Sequence, residues 1–80
     1  MLPGLTDGEV APPDEELWRL VKGRRTAVCW QRLHPLGFEL RLEVNGDTMR
    51  TTVERTVDGA EEQSVHMRQA MLARGWAEHA

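Results

Sequence analysis

The chain has 80 residues, 10 of them basic and 13 acidic, and a net charge of −3; it makes one domain at most, and its charge gives no long-range pull on nucleic acid or anionic lipid. One cysteine excludes an intramolecular disulfide, no Cys/His run suggests structural zinc, and no stretch approaches the roughly 18 apolar residues of a membrane span. So small a domain buries only about 60% of the surface its unfolded chain exposes, so self-association, as a homodimer, is the expected staple.

Residues 1–12 hold Pro3, Gly4, Gly8 and Pro12 without sustained periodicity and read as a flexible arm. They lack the basic and apolar regions of a secretory signal. With the lone Cys29, this points to the cytoplasm. A single domain is expected over 13–76, followed by a short tail at 77–80.

The first predicted element is PDEELWRLVKG, residues 13–23. Pro13 suits a first helical turn, Asp14, Glu15 and Glu16 suit its positive end, and Leu17, Leu20 and Val21 share a helical face. Gly23 is a natural stop. Three strands are predicted next. The clearest is FELRLEV, where Phe38, Leu40, Leu42 and Val44 alternate with Glu39, Arg41 and Glu43. NGD at 45–47 is a hairpin turn. In TMRTTVERTV, Met49, Thr51, Val53 and Val57 then read as the core-facing row; a loop of two or four residues keeps it on the side of Phe38, Leu40, Leu42 and Val44, and the four-residue version would set Glu43 opposite Arg50. The last element is a helix over DGAEEQSVHMRQAMLARGW. Asp58 and Glu61 read as a capping box, Met67 and Met71 line one face, and Gly75 ends the helix so that Trp76 folds back on Met71. The expected fold is α+β: a three-stranded antiparallel meander with two helices on one face, in the order α-β-β-β-α.

The turn HPLG leaves two registers open for the strand before it. Pro35 fixes φ at about −65° and forbids the two-residue hairpin turns that need a positive φ at that position. A three-residue loop turns Val28, Trp30 and Arg32 inward. A four-residue loop pairs Leu33 with Phe38 and turns Ala27, Cys29, Gln31 and Leu33 inward instead. The first buries more apolar area but drives Arg32 toward Leu40. The second buries only the neutral Gln31, pairs Arg32 with Glu39 and sets Trp30 beside Arg41, and the balance favours it. Val28 and Trp30 then form an apolar spot on the wet face of the sheet. That makes Val28, Trp30, Arg41 and Arg50, with Glu39 and Glu43 at the edge, the candidate partner surface. The plainer reading of the same spot is that Arg and Glu stems simply cover Trp30.

Little else suggests chemistry. His34, His66 and His79 lack metal-ligand spacing, and His34 reads as a turn residue. Cys29 in a strand reads as a small buried hydrophobe. Ser64 lies mid-helix with no elbow motif, and Glu61 and Glu62 do not converge as a catalytic pair. No catalytic residue, metal or cofactor is expected. Lys22, Arg24 and Arg25 cluster between the first two elements. They give the alternative of a nucleic-acid accessory protein, although a solvated junction is the commoner meaning.

The order α-β-β-β-α resembles the double-stranded RNA-binding domain, and GFELRLEVNG looks like the middle of one. That resemblance implies lysines gripping phosphates at the start of the last helix. The matching stretch, VDGAEEQS, carries Glu61 and Glu62 there, and carboxylates repel a phosphate backbone. LWRLVKG, CWQRLHPLGFELRLEVNG and ARGW, spread over about residues 17–76, are also similar to a pattern carried by short bacterial proteins with no assigned activity. This likeness implies a stand-alone small protein. The functional expectation is a small interaction module that binds a protein partner or itself.

Overall fold

The computed structural model describes residues 14–78; the arm expected over 1–12 and His79 lie outside the described residues. The elements are β1 (Glu15–Lys22), β2 (Arg25–His34), β3 (Gly37–Val44), β4 (Asp47–Glu54), α1 (Val57–Ala73) and β5 (Ala77–Glu78). They form one five-stranded sheet in the order β4-β3-β2-β1-β5, with every neighbouring pair antiparallel. Because β4 and β5 occupy opposite edges, α1 must cross the sheet from one edge to the other. The expected three strands with two helices are therefore overturned. The described residues run β-β-β-β-α-β, and the segment read as a first helix is a strand.

A β-bulge explains that misreading. Glu16 pairs with Trp30 and Trp18 with Cys29, so Leu17 is an extra residue in β1. Leu17 and Trp18 then both pack against the core, where strict alternation would put them on opposite faces. The bulge breaks the period of two and leaves Leu17, Leu20 and Val21 with the spacing of a helix.

Between β2 and β3, Leu33 pairs with Phe38, Arg32 with Glu39 and Trp30 with Arg41. This is the second of the two registers. The turn is tighter than a four-residue loop, because His34 also pairs with Gly37. Pro35 and Leu36 avoid positive φ, and Gly37 takes it instead, at 143°. Asn45 (φ 53°) and Gly46 (φ 86°) make the next turn, as a primed hairpin requires.

Just past it, Met49 is an extra residue in β4: Glu43 pairs with Thr48, but Leu42 pairs with Arg50. This second bulge exchanges the faces of all that follows. Thr52 comes to lie opposite Leu40 on the helix side, while Thr51 and Val53 lie opposite Arg41 and Glu39 on the outer side. The expected core row of Met49, Thr51, Val53 and Val57 does not form, and Glu43 does not face Arg50.

The helix starts as a cap dictates, but the cap is Thr56, whose Oγ1 accepts from the Gly59 N–H at 2.9 Å. The expected box at Asp58 and Glu61 lies inside the first turns instead. At the other end, the Gly75 N–H donates to the Leu72 carbonyl and the Trp76 N–H to the Met71 carbonyl, a Schellman closure with Gly75 at φ 96°. Trp76 folds back into a core with Leu20 and Ala27, against which Met71 and Leu72 pack. A second core joins Cys29, Leu40, Ala60 and Met67. Past the closure, Ala77 and Glu78 extend the sheet beside Val21 and Leu20.

Candidate functional site

The helix covers one face of the sheet, and among the described residues no element covers the other. Alternation and the two bulges decide what this outer face carries. Glu16 and Arg19 come from β1, Val28, Trp30 and Arg32 from β2, Glu39, Arg41 and Glu43 from β3, and Thr51 and Val53 from β4.

Its centre is a bridged pair. The Trp30 indole N–H donates to one oxygen of Glu43 at 3.1 Å, and Arg41 Nε donates to the other at 2.9 Å. Arg41 Nη2 also donates to Asp14 at 2.8 Å, and its Nη1 lies 3.8 Å from Glu39. Arg32 stands 4.0 Å from that same Glu39 oxygen, and Arg19 pairs with Glu16 at 2.8 Å. The Arg41 guanidinium is held above its ordinary pKa, first by the hydrogen bond it donates to Asp14 and then by the one to Glu43, against the cost of burial. Beneath this lattice Val28 is buried, Trp30 is half-buried and Val53 is exposed.

Of the six residues expected on the partner surface, Val28, Trp30, Glu39, Arg41 and Glu43 are brought together. Arg50 is not: the Met49 bulge puts it on the helix side, opposite Leu42. Trp30 and Arg41, expected side by side, meet through the shared carboxylate of Glu43. Sequence reasoning missed Asp14, read as a helix start, and Val53, read as core. The even spacing of charges in FELRLEV signals the lattice, but nothing local signals the bulge that brings Val53 to it.

The remaining candidates serve the fold. Cys29 is fully buried, and burial pushes its thiol up to about 11 against a partial opposing pull from the Ser64 hydroxyl; a thiolate nucleophile is disfavoured there. His34 Nδ1 accepts from the Leu36 N–H at 3.0 Å and braces the turn. Among the described residues, no three His, Cys, Asp or Glu side chains are placed to hold a metal ion, and no helix is long and apolar enough to cross a membrane. A hollow of about 420 Å³ beside the helix is walled by Leu17, Trp18, Gln31, Val57 and Val65. Its Ser64 hydroxyl already accepts from Trp18. In the basic cluster, Lys22 Nζ donates to the Arg74 carbonyl at 2.7 Å, and the Arg25 guanidinium sits 5.2 Å from the centre of the Trp76 ring. Two of the three cations are thus tied to the end of the helix, which leaves Arg24 exposed at the turn. Compared with family models, curated proteins and solved structures, the chain finds no match in any of the three.

Proposed function

We propose that the protein is a small, non-enzymatic, self-associating protein-interaction module of the cytoplasm, with the outer sheet face around Trp30 as its partner surface. The observation that carries this reading is the shared carboxylate of Glu43, which holds the Trp30 indole and the Arg41 guanidinium in fixed positions side by side. Trp and Arg dominate binding energy at protein interfaces. Side chains already held in one conformation lose less freedom on binding. Val53 widens the apolar part of the patch, and Arg32 and Glu39 supply a polar rim.

The test is Trp30→Ala beside the unchanged protein, with folding followed by circular dichroism and association by capture from an extract of the source cells. The expected variant is folded and fails to retain whatever the unchanged protein retains specifically. A variant that unfolds would assign Trp30 to the core and remove the surface.

A further inference from the structure

We infer that two copies of this chain pair through their β4 edges, antiparallel about Thr52, into one continuous ten-stranded sheet. This deepens the self-association in the reading above and places it on a different surface from Trp30.

Three observations converge on five residues. First, β4 is an edge strand of eight residues without proline, and among the described residues nothing pairs with its outer side. Such a row of free N–H and C=O groups templates another strand. The Met49 bulge interrupts the strand near its start, so the regular edge runs from Arg50 to Glu54.

Second, that stretch is self-complementary in charge. Arg50 and Glu54 sit on the same face, two residues either side of Thr52. Both lie on the helix side of the sheet, and no ion pair forms at either among the described residues. An antiparallel pairing centred on Thr52 sets Arg50 opposite Glu54 of the second copy, and Glu54 opposite its Arg50. A slip of one residue toward the start of the strand, centring it on Thr51, sets Arg50 against threonine and loses both pairs. Centring on Val53 sets Thr52 against Glu54 and loses them as well. Opposite charges directly across a ladder are favourable and like charges are not, so the charges select one register.

Third, Thr52 is half-buried and its enclosed Oγ1 has no hydrogen-bond partner among the described residues, so the hydroxyl gains one at the edge when χ1 rotates it there. In the selected register the threonine hydroxyl of the second copy stands across the two-fold axis from it, and Thr–Thr is a favoured cross-strand pair. The opposite side of the sheet is partly closed, since β5 covers β1 at Leu20 and Val21. Pairing at β4 alone gives a closed two-fold dimer rather than a fibre. Both outer faces then lie on the same side of the joined sheet, so the dimer presents two Trp30 patches together.

The experiment uses the full chain in sedimentation equilibrium at low salt. The unchanged protein should dimerise reversibly. Arg50→Glu and Glu54→Arg should each weaken the dimer at least about tenfold, because each sets like charges opposite at two symmetry-related places. The double reversal should restore it. Thr52→Cys should oxidise to a covalent dimer, since directly opposed residues lie about 4.5–5.5 Å apart, within disulfide reach. The buried Cys29 does not compete. If Glu54→Arg fails to fold, Arg50→Glu and the cross-link decide. A dimer untouched by Arg50→Glu, unlinked by Thr52→Cys and lost in Trp30→Ala overturns the β4 pairing and leaves the outer-face reading standing. A protein monomeric at every concentration overturns the pairing and the self-association together, while binding of another protein at Trp30 stays open to its own test.

Discussion

The Trp18 indole N–H donates to the Ser64 hydroxyl at 3.0 Å and lies 3.2 Å from the Ser64 backbone carbonyl. This contact fastens the bulged strand β1 to the middle of α1. Ser64 is the one buried polar residue in the described core, and an apolar substitute at Trp18 leaves its oxygens without this donor. Trp18→Phe should therefore cost about 1–3 kcal/mol, read as a lower urea midpoint with an unchanged slope. A midpoint within experimental error of the parent would mean that the indole N–H is exchanged for water at no cost.

Cys29 gives the chain a signature in alkali. Its thiol is raised by burial from 9.0 to about 11, so the folded state holds the proton more tightly than the unfolded state does. Below pH 9 both states are protonated and the group costs nothing. Between pH 9 and 11 the unfolded thiol ionises first, so stability falls with rising pH, by about 2–3 kcal/mol over the window. Cys29→Ala should flatten that part of the stability profile relative to the parent. Equal slopes in the two proteins would show that the thiol ionises in place.

How much of this was legible follows from where the alternation is intact. In β3 nothing interrupts the period of two, and Phe38, Leu40 and Leu42 face the helix as the sequence implies. The β2 register was legible because one wrong step would have buried Arg32. The Schellman end at Gly75 and Trp76 was legible because only a few residue types close a helix that way. The failures lie at Leu17 and Met49. Each adds one residue to one strand, and a bulge carries no local marker when its residue is an ordinary hydrophobe. At Leu17 the broken period imitated a helix. At Met49 it sent Thr51 and Val53 outward and Arg50 inward, so the outer face lost one expected member and gained two unexpected ones.

Gly37 bears the consequence of the proline in the β2–β3 turn. Its φ is 143°, and a Cβ there would overlap the Glu54 carbonyl oxygen and stand 2.8 Å from the Arg55 Cα. Both are backbone atoms and cannot rotate away. Gly37→Ala should destabilise by about 2–4 kcal/mol, as steric overlap and backbone strain combine. Gly46→Ala is the control: its φ is also positive, but a Cβ there meets nothing within 4 Å, so only the strain is felt, at about 1–2 kcal/mol. Equal losses at the two sites would rule out the overlap.

The Arg41–Glu43 pair tests whether the outer face is pre-formed. Most surface ion pairs contribute little, because two long side chains must be ordered in high dielectric. This pair differs in being about four-fifths covered on both sides and in sharing partners, with Asp14 on the guanidinium and the Trp30 indole on the carboxylate. A double-mutant cycle with Arg41→Gln and Glu43→Gln should return a coupling of about 1 kcal/mol at low ionic strength, above the surface median. In about 1 M salt, where the screening length shrinks to roughly 3 Å, part of that coupling should survive, because the 2.9 Å contact is shielded from ions. A coupling near zero at low salt would mean that Arg41 and Trp30 move independently. The patch would then have to be ordered at the moment of binding, and the main argument for it as an interaction surface would fall.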